Sequence, residues 1–186
     1  MADPRFFKKA GPFTLGQIAE MTGAELADAG AAAKVIDDVA PLQDATPAQL
    51  GFLDNKKYVA VFKHTKAGAC FVRPEMVVHA PAGTVCLVTK NPYRAYAIAA
   101  QAFYPQPAAT DFRAASAVID ASALIGAHCF IDHGAVIGAG VKIAAGCRIG
   151  ARAVIADNVE IGEGSDIGPN VYVTHALIGK KVRIYP

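Results

Sequence analysis

From Ile119 onward an isoleucine recurs at every sixth position: Ile119, Ile125, Ile131, Ile137, Ile143, Ile149, Ile155, Ile161 and Ile167, with Val173 in the next slot. The spacing then slips by one residue, and Ile178 and Ile184 resume it. Two residues before these positions stand small or branched side chains: Ala117, Ala123, Cys129, Ala135, Val141, Cys147, Ala153, Val159 and Ser165. Positions i and i−2 of a strand share one face, so both columns point inward. The residue after the isoleucine is often glycine (Gly126, Gly138, Gly150, Gly162, Gly168, Gly179) or else Asp or Ala, and reads as the place where the chain turns a corner. No helix has a period of six, and tight hairpin turns are absent. The pattern predicts a three-sided parallel β-coil in which each isoleucine stacks on the one 18 positions on. Cys129 and Cys147 are 18 apart, and are expected as buried, unoxidised thiols on one inner face. The sequence stops at Pro186 in the middle of a coil, which reads as a truncation.

Residues 1–112 lack the repeat and are expected to form a separate α/β domain, with the coil occupying 113–186. Thr14-Leu-Gly-Gln17 is a capping box, flanked by Phe13 and Ile18 at staple positions, so a helix starts at Leu15 and stops near Gly23. Thr46-Pro-Ala-Gln49 repeats the device ahead of a short turn. Leu50–Leu53, Ala69–Val72 and Thr84–Thr89 read as strands, and Tyr58 to Thr65 as helical. Asn91-Pro92 opens a helix to about Phe103, and Pro105 and Pro107 form a linker.

Composition narrows the function classes. The chain has 186 residues, 53% of them apolar, and a net charge of only +2, which argues against a nucleic-acid binder. Basic residues do gather at Lys56, Lys57, Lys63 and Lys66, and at Lys180, Lys181 and Arg183, either as a solvated face or as a site for an anionic substrate or acidic partner. The four cysteines form no CxxC pair and fit a reducing compartment. Arg5, Lys8 and Lys9 near the start precede no continuous apolar run, so no secretory signal is expected, nor any membrane span. A cytoplasmic protein is expected.

Two segments carry a resemblance. Phe52-Leu-Asp-Asn55-Lys-Lys-Tyr58 and Leu87-Val-Thr-Lys-Asn-Pro-Tyr93, followed by Ala95-Tyr96-Ala97 and then by the hexapeptide coil, resemble the front of the UDP-3-O-(3-hydroxyacyl)glucosamine N-acyltransferases (LpxD) of lipid A biosynthesis. The resemblance implies an α/β uridine-nucleotide-binding domain followed by a left-handed parallel β-helix, and a homotrimer. It implies that Phe52 and Tyr58 sandwich the uracil ring while Asn55 hydrogen-bonds its edge. Each has a plainer role open to it: Phe52 as a core strand residue, Asn55 as a helix cap, and Tyr58 packed with Phe62 one turn on. It implies transfer of a 3-hydroxyacyl chain from acyl carrier protein to the 2-amine of UDP-3-O-acylglucosamine, with histidine as general base, backbone N–H groups for the oxyanion, and no metal or other cofactor. The family's histidine lies further along the coil than residue 186, so no catalytic residue is assigned within this chain, and these 186 residues alone are expected to be inactive.

Three of the five histidines stand in the coil segment. His128 and His133 fall near corners of the coil and His175 at the slip. His128-x4-His133 is similar to the ligand spacing of γ-class carbonic anhydrases, but the third histidine that class needs two coils earlier would fall near Asn91-Pro92-Tyr93, so no metal site is expected. Two other function classes remain open at this point: a non-catalytic trimeric nucleotide-sugar-binding scaffold, and a hexapeptide acetyltransferase using acetyl-CoA.

Overall fold

The computed structural model describes residue 3, residues 5–105 and residues 110–186. The chain divides into two compact units, Met1–Gln106 and Pro107–Pro186. Pro107 of the expected linker lies outside the described residues.

The first unit is built on a mixed sheet. Strand β1 (Phe13–Thr14) leads into helix α1 (Leu15–Thr22), β2 (Glu25–Leu26), β3 (Val35–Ile36), β4 (Asp38–Val39) and β5 (Gln49–Phe52). Helix α2 (Val59–Phe62), β6 (Ala69–Val72), β7 (Val85–Val88) and helix α3 (Pro92–Phe103) follow. The order across the main sheet is β2-β7-β6-β5-β4, parallel except for β2 at the edge. The capping box forms as the sequence requires: Gln17 N donates to the Thr14 hydroxyl, and Thr14 N to the Gln17 side chain. Gly23 takes the left-handed backbone that ends α1. Asn91 caps α3 with Pro92 in its first turn. At Thr46 only half of the expected box forms, the Gln49 side chain accepting from Thr46 N. The expected helix over 58–65 is shorter, a 3₁₀ turn Lys56–Tyr58 running into α2. Leu15, Ile18, Leu50, Phe71, Leu87 and Phe103 form the core between α1, α3 and the sheet.

One polar pair is built into this unit. Asp38 is 4% exposed, and its carboxylate accepts the Tyr104 hydroxyl at 2.7 and 2.8 Å. Burial, then the bond to Asp38 and its negative charge, push the Tyr104 hydroxyl up to about 12. The fold therefore favours neutral tyrosine. That stabilisation is fully present below the ordinary tyrosine value of about 10. It is lost as pH rises through about 12. The urea midpoint should fall across that alkaline window, and fall less in Tyr104→Phe. An equal fall in both proteins would contradict the assignment.

The second unit is the coil. Its strands, from β8 (Phe112–Arg113) through β14 (Arg148–Ile149) to β20 (Arg183–Ile184), form three parallel sheets of five, four and four strands. The coil's strand β8 pairs in parallel with β11 (Phe130–Ile131). Partners are 18 residues apart, as in Ile131 with Ile149 and Ile149 with Ile167. After the slip the offset is 17, as in Ile161 with Ile178 and Ile167 with Ile184. The isoleucines and the small residues two before them fill one continuous core, and Cys129 and Cys147 lie in it as free thiols.

The corners differ from the sequence reading. The residue after isoleucine is not the one that turns. Left-handed backbone appears three residues after it, at His128, Gly134, Gly140, Gly146, Arg152, Asn158, Gly164, Asn170 and Lys181, and at the slip two residues after Val173, at His175. Non-glycine residues there cost on the order of 1 kcal/mol each. A hydrogen bond from that residue's N–H to the corner below offsets the strain, as in Arg152 to His133 O (3.0 Å) and Asn158 to Ala139 O (2.8 Å). Glycine after the isoleucine has another cause. A Cβ on Gly150 would stand 2.5 Å from Pro169 N in the next coil.

Candidate functional site

The parallel strands β4, β5, β6 and β7 end on one edge of the front sheet, where open α/β sheets place their ligand sites. The segment leaving β5 turns through Leu53 and Asp54 into the Asn55-capped 3₁₀ turn. It borders a recess of about 350 Å³ lined by Pro41, Leu42, Gln43, Phe52, Asn55 and Tyr58, among others. The structure thus brings together all three residues singled out from the sequence.

Phe52 is half-buried, and its ring is backed by two tyrosines of α3, Tyr96 at 4.6 Å and Tyr93 edge-on at 5.7 Å between centroids. Tyr58 leaves 51% of its surface exposed. Asn55 fills the capping role, its Oδ1 accepting Lys57 N at 3.0 Å. The same amide keeps its NH2 as a donor. Lys56 and Lys57 are exposed on this turn. Arg73, just after β6, grips Asp54 through Nη2 (2.8 Å) and Nε (3.2 Å) and so pins the segment between Phe52 and Asn55. Sequence reasoning missed Arg73, Pro41 to Gln43 and the bracing role of Tyr93 and Tyr96. Of these, Tyr93 and Tyr96 lay in the segments carrying the resemblance, while the Arg73–Asp54 pair spans 19 residues and leaves no local signal.

A larger recess of about 650 Å³, lined by Glu25, Lys90, Asn91 and Arg94 among others, has no aromatic residue in its wall. The coil histidines are dispersed: His128 Nδ1 lies 3.5 Å from Asp111, His133 Nδ1 is 3.1 Å from the Ser116 hydroxyl, and His175 Nδ1 is 2.7 Å from the Thr174 hydroxyl. Among the described residues no three His, Cys, Asp or Glu side chains are grouped to hold a metal ion. Nor is any described helix long and apolar enough to cross a membrane.

Comparison with known proteins fits this architecture. A family model described as UDP-3-O-(3-hydroxymyristoyl) glucosamine N-acyltransferase, LpxD, matches residues 33–102, which include the recess. A protein named UDP-3-O-acylglucosamine N-acyltransferase 2, from Legionella pneumophila (strain Paris), is 52% identical over 100% of this chain and 54% of its own length. The chain belongs to the LpxD family. Another LpxD relative, UDP-3-O-acylglucosamine N-acyltransferase from Parvibaculum lavamentivorans, is 46% identical over 58% of this chain and 31% of its own length. The chain spans about half the length of the Legionella relative. Bacterial transferase hexapeptide repeats match 122–157 and 145–175, and the coil is a left-handed parallel β-helix. Among solved structures, perosamine N-acetyltransferase from Caulobacter crescentus aligns at 15% identity, covering 79% of this chain and 96% of that one, with a TM-score of 0.29.

Proposed function

We propose that the front unit holds the uridine of a UDP-sugar, with the base between Phe52 and Tyr58 and its edge on Asn55. The observation carrying this reading is that one recess is lined by all three residues, with the Phe52 ring fixed from behind by Tyr96 and Tyr93. A braced ring offers a flat face at little entropic cost, and offset stacking on a nucleobase uses that face. The Asn55 NH2, left over from capping, suits a uracil carbonyl. Lys56 and Lys57, on the same turn, supply positive charge for the diphosphate.

The whole protein then transfers a 3-hydroxyacyl chain from acyl carrier protein to the 2-amine of UDP-3-O-acylglucosamine in lipid A biosynthesis. The amine nitrogen attacks the thioester carbon, a histidine general base takes the amine proton, and backbone N–H groups receive the oxyanion; the intermediate then collapses to the amide as the C–S bond breaks, and the carrier's thiol leaves with the proton held by the histidine. Neither a metal nor an organic cofactor is required by this chemistry. No residue within 1–186 is assigned as that base. We place the reaction in the cytoplasm and in a homotrimer. Support for assembly comes from the outward column Val118, Val136, Val154 and Tyr172, an apolar stripe on one side of the coil.

Calorimetric titration with UDP tests the nucleotide site. Phe52→Ala and Tyr58→Ala should each weaken binding about tenfold or more. Both should keep the native circular dichroism. Unchanged affinity in both variants would remove the assignment.

A further inference from the structure

Ahead of the first strand the chain forms a small turn that the nucleotide site does not use. The Asp3 carbonyl accepts from both Phe6 N (3.0 Å) and Phe7 N (3.1 Å), closing the chain on itself. The turn holds two adjacent phenylalanine rings in water, Phe6 76% and Phe7 51% exposed. Phe62, Phe71 and Phe103, by contrast, are fully buried. Arg5, Lys8 and Lys9 flank the two phenylalanines in the chain and are all exposed. Arg5 is paired to Asp3 at 2.7 Å and lies 5.5 Å from the Phe6 centroid, whereas Lys8 and Lys9 form no ion pair among the described residues. The turn is also fastened down. Ala10 N donates to Phe103 O at 2.7 Å, and the Phe7 ring meets Tyr104 edge-on at 6.1 Å.

We propose that this turn docks the protein on a bilayer surface carrying anionic phospholipid, with Phe6 and Phe7 entering the acyl boundary and Lys8 and Lys9 facing the phosphates. Aromatic rings flanked by cations match the two layers of such a surface, apolar inside and negative outside. None of the recesses described above is lined by the turn. A folded protein partner would need a groove shaped to two rings, whereas a bilayer needs no shape match. Each lysine near an anionic surface strengthens binding roughly fivefold, and the rings add to this.

The test is co-sedimentation of the full chain with vesicles of equimolar phosphatidylglycerol and phosphatidylcholine, and with phosphatidylcholine alone. Binding to the anionic vesicles should exceed binding to the neutral ones by roughly 25-fold and weaken as salt is added. Phe6→Ser/Phe7→Ser and Lys8→Glu/Lys9→Glu should each abolish it. UDP titration of the same variants should be unchanged, which separates this proposal from the nucleotide assignment. Absence of wild-type binding to anionic vesicles overturns the proposal, as does equal binding by the Phe6→Ser/Phe7→Ser variant. Self-association of the wild type that is lost in that variant, without vesicle binding, overturns it in favour of a second copy.

Discussion

Replacing Gly68 by alanine is expected to destabilise the front unit by about 3 kcal/mol or more. A Cβ at this position would stand 1.9 Å from the Pro47 carbonyl oxygen and 2.8 Å from its carbon. Both are backbone atoms, so no side chain can swing away. The surroundings are also fixed. Gly68 N donates to Thr46 O and Gln49 O, and Gly68 O accepts from Lys34 Nζ at 2.6 Å and from Val85 N at 3.1 Å. The clash pushes apart the turn that enters β5 and the start of β6, two central strands. Because β5 ends in Phe52, UDP affinity should fall with the fold. Gly23→Ala is the comparison: nothing lies within 4 Å of its Cβ, and only the left-handed backbone opposes it. That variant should lose about 1 kcal/mol. Urea unfolding followed by helical circular dichroism measures both, and similar losses in the two variants would contradict the argument.

The second large effect is expected in the coil. Ile149 is completely buried, and its neighbours in the column, Ile131 and Ile167, are equally so. Ile149→Ala leaves a void that two rigid coils cannot close, at a cost of about 2 to 5 kcal/mol. Arg148 precedes it on the outer face, its guanidinium 4.5 Å from the Phe130 ring. Arg148→Ala should cost about 1 kcal/mol or less. A coil contacts only its neighbours, so the damage should spread from the centre rather than from an end. Denaturation with a β-sheet signal gives the comparison. Equal losses for the adjacent inward and outward residues would mean that the coil core is not where the six-residue column places it.

How much was legible depends on the length scale of each signal. The coil was, because a six-residue period repeats the same burial demand at every side, and even the slip at Val173 appears as the change of offset from 18 to 17. The corner was misplaced by two residues. Glycine follows the isoleucine because of the next coil packed against it, as at Gly150, while the turning residue is as often Asn158 or Arg152. A sequence shows a glycine but not which neighbour requires it. The α-helices α1 and α3 were readable through their caps. Two-residue strands such as β4 carry no alternation, so Asp38 and its bond to Tyr104, 66 residues away, left no local trace. In the candidate site Phe52, Asn55 and Tyr58 stand within one short segment and could be found together. Their supports, Arg73, Tyr93 and Tyr96, come from separate elements and meet them only in the fold.

The nucleotide assignment can be tested at atomic range by nuclear Overhauser contacts in a complex with UDP. The protons of the uracil ring should show cross-peaks to the ring protons of both Phe52 and Tyr58. Cross-peaks instead to Ile98 and Met21, beside the Lys90–Arg94 recess, with none to Phe52 or Tyr58, would contradict the account.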